Sequence, residues 1–183
     1  MTSLQKIAMG LVITLVDAII AGYDAVPDVI GWAMVILGLV ELRDRMTVST
    51  LIPLAVVAGI VSLAGVRPDL IEDLPESTGW LLSLPQLTVS FLLCTEVASL
   101  VAESLARRLR VLRWFFVVAA VGPVLVYGGG LDVALVPLAL LAVAANVYLV
   151  YLLFRASTEF HGPRIRLARE GHDEGPDGSE QRP

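Results

Sequence analysis

Residues 105–113, LARRLRVLR, decide how this chain is read. Arg107, Arg108, Arg110 and Arg113 crowd into that stretch, while residues 97–102 before it and 114–125 after it carry no charge. Guanidinium groups are costly to carry across a bilayer, so short loops rich in arginine and lysine stay on the cytoplasmic side. Reading the cluster as such a loop makes these four arginines topology anchors and fixes the direction of every other apolar run.

The composition agrees with a membrane setting. Of 183 residues, 56% are hydrophobic and only 17% charged, and the mean hydropathy of +0.78 lies far above that of a water-soluble domain. The charges gather in short segments between apolar runs near the length a bilayer requires. A net charge of −5 therefore describes neither face of the protein. Cys94 is the single cysteine, which excludes an internal disulfide and a two-cysteine redox relay. Lys6 is the only lysine among the 13 basic residues, and Ala, Val, Leu and Gly abound. That bias points to GC-rich coding and a bacterial plasma membrane.

Working outward from the arginines, the sequence predicts an all-α polytopic bundle. Six transmembrane helices in three hairpins are expected at 4–22, 27–42, 48–66, 79–105, 111–126 and 133–154. A cleaved signal peptide is the rival reading of the first run, but Asp17 interrupts that run and another apolar run follows at once. Pro27 and Asp28 suit the start of the second helix, where a missing N–H costs nothing and an acid meets the positive end of the helix dipole. That helix is short enough to be either a span or a re-entrant segment. The expected cytoplasmic side collects Lys6, Arg43, Arg45, Arg155 and the four anchors. The expected outer side has only Arg67, with Asp24, Asp28, Asp69, Glu72, Asp73, Glu76 and Asp132. This asymmetry places both termini in the cytoplasm. Residues 156–183 form a charged tail, first basic (Arg164, Arg166, Arg169) and then acidic and rich in Gly and Pro, which is expected to be disordered.

Polar residues inside apolar helices need partners, so they are the first candidates for function. Asp17 is a candidate intramembrane carboxylate, either a proton or cation ligand or an acid hydrogen-bonded within a helix pair. It shares a helix face with Gly10, Thr14 and Ala18, a small-residue stripe suited to close helix contact, and Gly31 and Gly38 serve the second helix in the same way. On the fourth helix Thr88, Glu96, Ser99 and Glu103 recur at helical spacing. Thr88, Glu96, Gln86 and Asn146 are the candidate lining of a polar cavity. The alternative for each is a helix–helix contact. Asp17 and Glu96 differ in expected depth by roughly 16 Å and do not form a catalytic pair.

Enzyme motifs are missing. No span holds a histidine, which removes HExxH zinc chemistry and histidine-based serine catalysis, and there is no G-x-S-x-G or phosphate-binding loop. The carboxylate array of lipid-headgroup transferases is also missing. His161 and His172 lie in the tail with no cysteine nearby. The sequence thus predicts no catalytic residue, no cofactor and no metal site.

The segment YDAVPDVIGWAMVILGLVEL, residues 23–42, carries a D-x-x-P-D-x-I-G run (Asp24, Pro27, Asp28, Ile30, Gly31) and a G-L-x-x-L run (Gly38, Leu39, Leu42). It resembles a pattern in small uncharacterised multi-pass membrane proteins of bacteria, of the GC-rich actinobacterial type. That resemblance implies a membrane protein and brings no activity. Size and span number also resemble the substrate-capture subunits of vitamin uptake transporters, at the level of fold alone. Two functions are therefore expected. One is a non-enzymatic accessory subunit whose partners are the bilayer and other membrane proteins or a second copy, not nucleic acid. The other is a small-solute transporter or its binding subunit. Convergence of the polar candidates on one cavity distinguishes the second from the first.

Overall fold

The computed structural model describes residues 1–20, 26–64 and 76–159, and within them the chain is helical with no strand. The helices are α1 (Ser3–Ile20), α2 (Val26–Leu42), α3 (Leu51–Ala64), α4 (Glu76–Ala98), α5 (Glu103–Gly129) and α6 (Leu135–Glu159), with a 3-10 turn at Asp132–Ala134. The turn at 23–25, the outer segment around 67–75 and the tail from 160 onward, with both histidines, lie outside the described residues, as do the side chains of Asp17 and Ala18.

Three helices are long and apolar enough to cross a membrane: Thr78–Ala98, Glu103–Gly129 and Leu135–Glu159, with hydropathies of 1.5, 1.9 and 2.2. The expected six spans are thus met in length and composition by three. The other apolar helices are shorter where described, Ser3–Val16 and Leu51–Leu63, and α2 has 17 residues. At 1.5 Å per residue the 14 residues of α3 rise about 21 Å, against about 30 Å of hydrocarbon. Helix α3 starts at Leu51 rather than Val48, with Pro53 in its first turn, where no N–H is required.

The arginine stretch is helix, not loop. Helix α4 stops at Ala98, and after a short turn α5 begins at Glu103 and carries all four arginines. The residue periodicity explains this difference. Leu105, Leu109, Leu112 and Phe116 recur at spacings of four, three and four and are all buried, while Arg107, Arg108 and Arg110 turn outward. Helix α5 runs through Pro123 and closes at Gly130, whose φ of 67° is left-handed and whose N–H bonds the Val126 carbonyl.

Each helix packs on its neighbour in sequence, and α6 returns to α1, so the six close into a ring with α4 and α6 touching across it. Links between elements gather the charges at one end. Lys6 of α1 pairs with Glu41 of α2. The Thr47 N–H, after α2, bonds Glu96 of α4 at 3.2 Å, and the Ala102 N–H, before α5, reaches Glu159 of α6 at 3.5 Å. The apolar core leans toward this end: buried α6 residues run from Ala145 to Ser157, and those of α4 begin at Leu87. The outer faces remain apolar, with Val118, Val121 and Leu125 of α5 and Leu140 and Val147 of α6 all exposed.

Candidate functional site

Among the described residues, no hydrogen bond joins the four residues expected to line a cavity to one another. Asn146 is buried on α6, where its amide donates to the Ala142 carbonyl at 2.9 Å and its Oδ1 accepts the Ser90 hydroxyl of α4 at 3.3 Å. Thr88 lies two residues from Ser90 and is exposed on the other side of α4, donating to its own Leu84 carbonyl at 2.8 Å. Gln86 is half-buried. Glu96 is in the last turn of α4, at the charged end, and accepts from the backbone of the loop after α2. It therefore fastens a loop to a helix end. The expected polar face continuing to Glu103 is cut where α4 stops, and Glu103 pairs with Arg110, two turns along α5, rather than with Arg107.

The small residues sit at the α1–α2 contact. A Cβ placed on Gly31 would come within 2.7 Å of both the Gly10 carbonyl oxygen and Thr14 Cγ2, and one on Gly10 within 2.8 Å of Val35 Cγ2. A Cβ on Gly38 would meet Ile7 Cγ1 at 2.6 Å and the Ser3 carbonyl at 2.7 Å. Thr14 is buried and donates to the Leu11 carbonyl at 3.0 Å, so its methyl faces α2. Only hydrogen fits at these three glycines, and the backbones approach accordingly.

Two tryptophans add cross-helix bonds that sequence reasoning missed. Trp32 of α2 donates to Ser62 of α3 at 3.0 Å, and Trp80 of α4 donates to the Ala120 carbonyl of α5 at 3.0 Å. Buried or half-buried indole N–H groups usually find such acceptors, but which acceptor depends on the fold.

At the charged end the four arginines divide. Arg110 is paired with Glu103. Arg113 is half-buried, with Nε lacking a hydrogen-bond partner among the described residues and its guanidinium carbon 5.4 Å from the Trp114 ring centre. Arg107 and Arg108 are exposed at a groove of about 250 Å³ between α5 and α6, otherwise lined by Val111, Leu112, Phe115 and Tyr148. Tyr148 stacks on Tyr151 beside it, ring centres 6.0 Å apart. Across the ring the Lys6 ammonium pairs with the Glu41 carboxylate. Among the described residues no three His, Cys, Asp or Glu side chains cluster as a metal would need.

Compared with known protein families, with curated proteins and with solved structures, the chain matches none.

Proposed function

We propose that this chain is an integral protein of a bacterial plasma membrane, crossing it six times with the charged end in the cytoplasm, and that it serves as a non-enzymatic accessory or interaction subunit. The observation that carries the reading is the scatter of its polar residues. Asn146 and Ser90 bond to each other, Thr88 back-bonds to its own helix, and Glu96 fastens a loop. Each is spent on a separate contact, whereas a transport site requires several of them to face one cavity. The apolar helices α4, α5 and α6 and the sorting of arginines to one end support the membrane placement. The test is native mass spectrometry of the protein released gently from its own membrane after crosslinking in place. A stoichiometric protein partner, or a second copy, supports the accessory role. A retained small solute that is lost on Glu96→Gln overturns it, and so does a chain that emerges alone.

A further inference from the structure

The groove between α5 and α6 combines three features that point to one kind of ligand. Its floor is apolar: Val111 and Phe115, 55% and 42% exposed, line it together with Leu112. Its rim holds Arg107 and Arg108, which have no acidic partner among the described residues, since the ion pairs there are Lys6–Glu41, Arg43–Asp44 and Glu103–Arg110. Its level is marked by Trp114, Tyr148 and Tyr151, exposed aromatic side chains of the type that settle at the boundary between acyl chains and headgroups. The apolar face continues away from the arginines along Val118 and Val121 of α5 and Val143 and Val147 of α6. A soluble anion would use the arginines but not this floor. A lipid with a neutral headgroup would use the floor but not the arginines.

We propose that this groove seats one anionic phospholipid, its phosphate held between Arg107 and Arg108 and one acyl chain laid over Val111 and Phe115 against Tyr148. Guanidinium groups bind phosphate oxygens through paired, directional N–H donors, so two of them on adjacent residues offer more than a diffuse positive surface. Basic pockets between membrane helices on the cytoplasmic side are the usual seat of such headgroups. The proposal rests on the membrane reading of α5 and α6, and the two fail differently. A protein that does not partition with the membrane fraction defeats the membrane reading. A protein that partitions but shows no headgroup preference defeats the lipid seat alone.

The experiment uses the full chain in a mild detergent, mixed with equal amounts of phosphatidylglycerol and phosphatidylcholine of the same acyl chains, with bound lipid counted by native mass spectrometry. The expected result is one tightly held phosphatidylglycerol per chain. Its preference over phosphatidylcholine falls by roughly thirtyfold in R107Q/R108Q, as the loss of two charge contacts implies. The charge-retaining R107K/R108K, which also reports on folding, keeps only part of the preference, because lysine brings the charge without the paired donors, and R43Q/R45Q, at the same end but away from the groove, keeps all of it. Equal retention of the two lipids overturns the proposal. So does a preference that survives R107Q/R108Q, or one lost equally in R43Q/R45Q.

Discussion

Ser90 donates its hydroxyl to Asn146 Oδ1 across the α4–α6 contact at 3.3 Å, with both residues buried. Because Asn146 also donates to Ala142 in its own helix, the pair leaves little polar surface facing apolar neighbours. Interhelical bonds of this kind in a bilayer contribute modestly, because either residue finds a substitute acceptor when its partner is lost. Ser90 has such a substitute in the carbonyl four residues earlier, at Gln86. A double-mutant cycle of Ser90→Ala and Asn146→Leu, read by unfolding in mixed micelles, is expected to give a coupling of about 0.6 kcal/mol. A coupling several times larger would mean that the pair does more than join two helices.

The α1–α2 contact is far less forgiving. Gly31→Ala places a methyl against the Gly10 carbonyl and the Thr14 methyl, and neither is the loose end of a flexible side chain. The helices must separate, at a cost of about 1–3 kcal/mol. A Cβ on Gly79 of α4 would meet nothing within 4 Å, so Gly79→Ala is expected to stabilise by about 0.4–1 kcal/mol through the unfolded chain. Thermal unfolding of the two single variants in detergent checks the contrast, and similar effects would show that the contact is looser than the glycines imply.

Glu96 supplies a carboxylate to one backbone N–H, that of Thr47. Glu96→Ala is expected to speed amide exchange at Thr47 by roughly tenfold, equivalent to about 1.4 kcal/mol of local protection. Glu96→Gln keeps an oxygen acceptor and is expected to change it far less. Equal acceleration in both variants would mean that the negative charge, not the bond, holds the loop.

The helical class and the apolar runs were legible because they depend on composition and length. The start of α5 was legible too, in Leu105, Leu109, Leu112 and Phe116, but the density of arginine outweighed that stripe and suggested a loop. The end of α4 was not legible. No proline or glycine stands between Cys94 and Glu103, and the turn after Ala98 is held by local bonds, with the Ser99 hydroxyl donating back to the Glu96 carbonyl. The partner of Glu96 was hidden for a different reason. It is a main-chain N–H 49 positions away, and such groups carry no sequence signature.

The ring itself makes the orientation testable. Since α2 and α3 meet at the charged end, the loop between them must face the same side as the turn before α5, and the turn at Gly130 must face the opposite side. Cys94 is fully buried, so the native chain should resist an aqueous maleimide and serve as an unlabelled background. In intact cells Gly129→Cys is expected to react with a membrane-impermeant maleimide, and Ser49→Cys only after the membrane is opened. The reverse pattern would place the arginines outside, against the rule that holds such loops in the cytoplasm. Three proposed spans, α3, α4 and α5, separate the two sites, so labelling of both in intact cells would leave an even number of crossings between them and overturn the six-span reading.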